Sequence, residues 1–182
     1  MFKALHLSLA LLLAFASSAL GQEGQPSEYQ VKAAFLYKFT RFVEWPEAAF
    51  SRTNSPFVVG IIGENPFGQE LERAVKNKEV NGHGFIVKEI KTLAEAKTCH
   101  VLFISQSERR RLPEIIGAVA TLPVLTVSET DRFLALGGII NFLVEENKVR
   151  FEISDVAARR AGLKISSKLL YLARRPERGG GK

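Results

Sequence analysis

The side chains best suited to chemistry are few. The chain carries one cysteine, Cys99, and three histidines, His6, His83 and His100. One cysteine forms no disulfide within its own chain, and it excludes a zinc site built from several thiolates. His6 falls in an apolar leader, so only His83 and His100 remain for the folded part, too few for a histidine-rich metal site. His100 abuts Cys99, but adjacent residues of a strand point to opposite faces, which separates thiol from imidazole. Cys99 opens an apolar run and reads as a small buried residue rather than a nucleophile. Glu145-Glu146 sits between two strand-like segments and reads as a solvated charge pair, not an acid/base couple.

Motifs for cofactor chemistry are missing. Gly60-Ile61-Ile62-Gly63 does not have the spacing of G-x-G-x-x-G. The sequence contains neither G-x-x-x-x-G-K-[ST] nor G-x-S-x-G. No catalytic residue, metal or cofactor is therefore expected. What remains are three short polar segments that follow apolar runs: Gly63-Glu64-Asn65, Ser105-Gln106-Ser107 and Ser128-Glu129-Thr130. In open α/β sheets ligands bind beyond the carboxyl ends of parallel strands. Gly63, Ser105 and Ser128 are the candidate ligand-binding positions on that ground, although caps and turns demand the same residue types.

These positions depend on the elements that carry them. Of the 182 residues, 46% are hydrophobic and 24% charged, an ordinary globular balance that excludes disorder, collagen and coiled coil. A chain of this length buries about two-thirds of its unfolded surface and sustains one core without staples. Lys3 followed by the apolar run Ala4 to Ala16, then Ala19-Leu20-Gly21, reads as a signal peptide with a small-x-small cleavage site. The run is shorter than the roughly 20 residues that span a bilayer. Residues 1–21 are set apart as leader and 174–182 as a flexible basic tail, Arg174-Arg175-Pro176-Glu177-Arg178-Gly179-Gly180-Gly181-Lys182. The net charge is +6, part of it in that tail. Export argues against nucleic acid as the partner of a basic chain.

Ser27 and Glu28 open a helix whose stripe is Val31, Ala34, Phe35, Phe39 and Phe42, with Lys32, Lys38 and Arg41 off it. Trp45-Pro46 ends it. Phe57–Gly63 is apolar throughout, as in a strand buried on both faces. Asn65-Pro66 reads as an N-cap and first helical residue, with Leu71, Ala74 and Val75 facing inward. Phe85–Ile90, Val101–Ile104 and Val124–Val127 are further strands. Ser107–Ala120 is helical in pattern, with Pro113 marking a late start or a break. Ile139–Val144 and Val149–Ile153 form a hairpin across Glu145-Glu146-Asn147-Lys148. Ser154 or Asp155 caps a short helix closed by Gly162, and Ser166 or Ser167 caps a last one. The expected fold is a single α/β domain, with a mostly parallel sheet flanked by helices and a C-terminal antiparallel hairpin.

The ordered blocks Tyr29–Phe39, Phe42-Val43-Glu44-Trp45-Pro46 and Gly63-Glu64-Asn65-Pro66-Phe67-Gly68 resemble the YfiR family of small periplasmic proteins. So do Leu102-Phe103-Ile104-Ser105, Val124–Ser128, Gly137–Phe142, Val149–Ile153 and Ala161–Leu170. The resemblance covers nearly all of residues 22–173. It implies a non-enzymatic periplasmic regulator, a homodimer, that binds the periplasmic sensory region of an inner-membrane diguanylate cyclase and represses it, lowering cyclic di-GMP and biofilm formation. The disulfides of the family's namesake have no counterpart here, and only a Cys99–Cys99 bridge between subunits would remain. Arg150, Glu152, Arg159, Arg160, Lys164 and Lys168 form a charge cluster, and the aromatic and basic set Phe151, Arg159, Arg160 and Lys164 is the candidate partner-binding surface. The residues leave two alternatives open: a periplasmic small-ligand-binding protein using the strand-end crevice, and an accessory subunit of another membrane sensor such as a histidine kinase. N-terminal sequencing of the exported protein is expected to begin at Gln22. An intact leader on the exported chain would replace cleavage by anchoring.

Overall fold

A computed structural model describes residues 25–52 and 54–174. The leader and the tail beyond Arg174 lie outside these residues. Helix α1 (Glu28–Phe42) is followed by a short strand β1 (Val43–Glu44) and then β2 (Phe57–Ile62). After them come α2 (Glu70–Val75), β3 (Phe85–Ile90), α3 (Leu93–Ala96), β4 (Val101–Ile104), α4 (Leu112–Val119) and β5 (Leu125–Ser128). The chain ends with β6 (Ile140–Glu145), β7 (Lys148–Ile153), α5 (Asp155–Arg160), β8 (Lys164–Ile165) and α6 (Ser167–Leu172). Six strands make one sheet in the order β3-β2-β4-β5-β6-β7, parallel except for the β6–β7 hairpin. β1 and β8 form a separate antiparallel pair, Val43 opposite Ile165 and Glu44 opposite Lys164. The expected α/β architecture with a C-terminal hairpin is what the chain adopts.

The sheet divides two cores by strict alternation. Val59 and Ile61, Val101 and Phe103, and Leu125 and Val127 face a core shared with Ala33, Leu36 and Phe39 of α1, Leu71 of α2, Ala158 of α5 and Leu169 of α6. Ile62, Leu102 and Ile104 face the other, filled by Leu112, Ile115, Ile116 and Val119 of α4 and Ala96 of α3. A period of two with both faces covered is the reason these strands read as unbroken apolar runs. The hairpin turn places Glu146 and Asn147 at φ of 48° and 59°, the left-handed pair that suits the strands' twist.

Several local expectations are corrected. The buried face of α1 is Lys32, Ala33, Leu36, Phe39 and Thr40, so the stripe is turned from the one expected and Lys32 lies on it. The helix also stops before Trp45, because Val43 turns extended to pair with β8. Asn65 does not cap a helix: its Oδ1 accepts from the Phe67 N–H at 2.9 Å in a local turn, and α2 begins only at Glu70. Pro113 marks a late start, with α4 opening at Leu112 after a separate single turn at Gln106–Glu108. The sequence reading missed α3, although Thr92 and Glu95 build a reciprocal capping box there.

The two edges of the sheet differ. Past α6 the chain lies along β7: the Arg174 N–H donates to the Phe151 carbonyl at 2.8 Å, and Glu152 and Arg174 form a parallel bridge. β3 pairs with β2 alone among the described strands.

Gly60 of β2 packs closely against side chains of the second core. A Cβ there would sit 2.5 Å from Cys99 Sγ and 2.7 Å from Ile90 Cγ1. Gly60→Ala is expected to destabilise the fold by about 1–3 kcal/mol, as overpacked cores do, measured as a lower midpoint in urea. An unchanged midpoint would mean that this core yields.

Candidate functional site

The parallel strands put their carboxyl ends at one side of the sheet. β2 connects outward to β3, and β4 returns to the opposite side of β2, so the switch of strand order lies between β2 and β4. Gly63 and Ser105 follow those two strands, where a ligand crevice was expected. The chain's own groups occupy it. Gly63 has φ +92°, and a Cβ there would lie 2.4 Å from Ser107 Oγ and 2.8 Å from Glu108 Cγ. Ser107 Oγ accepts from the Glu64 N–H at 2.9 Å, and Ser105 Oγ accepts from the Ser107 N–H at 3.4 Å. Ser128 is fully buried; its Oγ donates to the Ile104 carbonyl at 2.7 Å and lies 3.0 Å from Thr130 Oγ1. Gly63, Ser105 and Ser128 thus take part in the turns at the strand ends, and the buried Ser128 hydroxyl is bonded within the fold.

A charged cluster lies over the same strand ends. Lys32 of α1 is only 2% exposed and forms ion pairs with both Glu28 and Glu129, the residue after β5. Tyr29 donates from its hydroxyl to Glu129 Oε1 at 3.0 Å. Burial, then the neighbouring Glu129 carboxylate, pushes the Tyr29 phenol up to about 12. Lys32 Nζ also sits 4.8 Å from the Tyr29 ring centroid. Sequence periodicity assigns Lys32 to the solvent side, because a lysine's burial is decided by carboxylates distant in the chain.

The expected partner surface is split by the structure. Phe151 is 4% exposed, and its ring packs 5.1 Å from Phe39 and 5.3 Å from Phe35. This corrects its assignment as a contact residue: on β7 it alternates with the outward Arg150 and Glu152 and faces the core. Arg159, Arg160 and Lys164 are all exposed, and Arg159 pairs with Asp155 one helical turn away. Apolar side chains are exposed on the same C-terminal elements: Val156 on α5, and Tyr171 and Leu172 on α6, the tyrosine 89% exposed. Leu169 anchors α6 to the core, which leaves Lys168, Tyr171 and Leu172 on its outer side at three- and four-residue steps. That spacing was the available signal.

The remaining chemical groups are buried or braced. Cys99 is 3% exposed in the α3–α4 core, and burial pushes its thiol up to about 11. A Cys99–Cys99 bridge between two copies would require that core to open. His100 faces the other way: its Nδ1 accepts from the Val58 N–H at 3.0 Å and its Nε2 lies 3.0 Å from the Ala49 carbonyl. The imidazole is thereby held neutral, and burial lowers its pKa. Among the described residues no group of three or more His, Cys, Asp or Glu is arranged to hold a metal ion, and no helix is long and apolar enough to cross a membrane.

The profile of the YfiR/HmsC-like family matches residues 29–174, from the first helix to the segment along β7. The chain belongs to the YfiR/HmsC-like family. A conserved domain protein from Vibrio cholerae O1 biovar El Tor has a similar solved structure, with a TM-score of 0.55 and 12% identity. The match covers 82% of this chain and 60% of that one, so this YfiR/HmsC-like chain spans well under the full length of its structural neighbour. At that identity the likeness concerns the fold. No curated protein matches the sequence. Family membership fits a regulatory, non-catalytic protein.

Glu129→Gln is expected to leave the buried Lys32 charge with only the half-exposed Glu28, at a cost of about 3–5 kcal/mol. Combining it with Lys32→Met is expected to recover much of the loss in chemical denaturation. A double variant no more stable than Glu129→Gln would show that packing, not charge, holds α1 there.

Proposed function

We propose that the protein is a periplasmic regulator that binds the outer sensory region of an inner-membrane diguanylate cyclase and holds the enzyme inactive, lowering cyclic di-GMP and biofilm formation. Membership of the YfiR/HmsC-like family across residues 29–174 is the observation that carries this reading. The surface supports it. Arg159, Arg160 and Lys164 are exposed, and Val156, also exposed, lies on the same short helix as the two arginines. Apolar side chains set among exposed charges are what a protein-binding surface offers.

Repression works by population shift. The regulator binds the inactive conformer of the membrane protein more tightly than the active one, and the difference in affinity sets how far activity falls. A stress or ligand signal that weakens the complex releases the enzyme. Export through the leader places the regulator on the side where the sensory region is exposed.

The test is crosslinking in cells of the tagged exported protein, followed by mass spectrometry of captured membrane proteins. Capture of a cyclase with a periplasmic domain, together with a rise in cyclic di-GMP on deletion of the regulator, is the expected result. Capture of a histidine kinase instead would transfer the regulator to a different output. For the surface itself, Arg159→Glu with Arg160→Glu is expected to weaken affinity for the captured periplasmic domain by about tenfold or more. Both side chains are exposed, so thermal stability should stay near that of the parent. Unchanged affinity would remove this patch from the complex.

A further inference from the structure

The amino ends of β2 and β3, opposite the filled crevice, hold two adjoining cavities of about 470 and 420 Å³. They share Glu47, Phe50, Asn81 and His83, and each is within the range of roughly 300–1,000 Å³ that takes a small organic molecule. Aromatic rings form the wall. Trp45 and Phe50 each meet Phe57 edge to face, with centroids 5.1 Å apart in both pairs. His83 and His100 stack on Phe50 at 4.1 and 4.6 Å, which fixes the ring in place.

The acidic groups of the smaller cavity are two carboxylates. Glu44 and Glu47 line it, and neither carboxylate has an ion-pair partner among the described residues. No lysine or arginine lines it among those residues, and Arg52 borders only the larger cavity. His83 Nδ1 lies 2.6 Å from the Ser55 carbonyl, an oxygen that only accepts, so Nδ1 carries a proton and donates it there. The Asn81 amide is a further lining group. Two unpaired carboxylates beside an aromatic wall attract positive charge from both sources, since ring faces also draw cations.

We propose that this cavity binds a small organic cation, an ammonium group carried on a flat apolar body. The ammonium pairs with Glu44 and Glu47, and the body lies against Trp45 and Phe57. Glu44 is opposite Lys164 across the β1–β8 pair, which places the cavity one strand away from the exposed basic residues. Binding here does not depend on the membrane partner, and its test stands without one.

Trp45 is the only tryptophan in the chain, so its emission reports on this cavity alone. The probe is 2-phenylethylammonium, with 3-phenylpropionate as an anion of nearly the same body. A saturable change in Trp45 emission with the cation is expected, and none with the anion. Glu44→Gln and Glu47→Gln alter exposed side chains and leave the core intact, and each is expected to raise the half-saturation concentration about tenfold. Thermal shift gives a second readout, since a ligand of the native state raises the melting temperature. No saturable response to the cation at millimolar concentration, equal response to both probes, or unchanged affinity in both variants would overturn the proposal.

Discussion

Strands β4 and β5 are buried along their whole length on both faces, and the rest of the molecule is arranged to cover them. One face needs α1, α2, α5 and α6, and the other needs α3 and α4. Each helix therefore gives an inner stripe to the sheet and keeps only its outer face for other tasks. The consequence for function is direct. Side chains that touch a partner must come from outer helix faces, from β6–β7 on the face away from α1, or from the loops at either end of the sheet. Phe151 fails this condition, and Arg159, Arg160 and Lys164 meet it.

The ends of the sheet have separate fates. At the carboxyl ends, α1 lays its first turns across the strands, and the Lys32–Glu129 pair with Tyr29 fixes it there. The geometry that serves ligand binding in many open α/β sheets is here used for structure. At the amino ends, a single helical turn at Glu47–Ala49 follows Trp45, and aromatic rings enclose space beside unpaired carboxylates. Burying a lysine among carboxylates is costly unless partners are in place, so the first arrangement is rigid by necessity. The second makes no such demand.

Much of the fold was legible because two-sided burial leaves an unmistakable trace: Phe57–Ile62 and Val101–Ile104 contain no polar side chain. The hairpin was equally readable from its short connection, which is tighter than the expected four residues because Glu145 and Lys148 pair across the strands. Legibility failed where long-range contacts decide. Periodicity put Lys32 outside because no local rule foresees Glu129, nearly a hundred residues away, reaching back to it. Asn65-Pro66 carries the chemistry of a helix cap, yet the same Asn oxygen satisfies a turn at lower demand on the chain. Phe151 drew attention as an aromatic among charges, although alternation on β7 already placed it with Ile153. Arg159 and Arg160, on a short helix, and Lys164, on β8, are exposed, as a candidate surface requires. On α6 Leu169 alone is buried, so one leucine holds the helix while Tyr171 and Leu172 stay exposed.

The segment that follows α6 gives the molecule a polarity of its own. By bonding to Phe151, Arg174 occupies the border of β7, while β3 ends the sheet at the other border. A sheet with two available borders can add copies head to tail without limit, as fibres do. With the β7 border partly taken beside Phe151 and Glu152, strand addition is favoured at β3, where two copies would meet β3 to β3. A single backbone contact after the last helix thus biases any edge-to-edge association toward a pair.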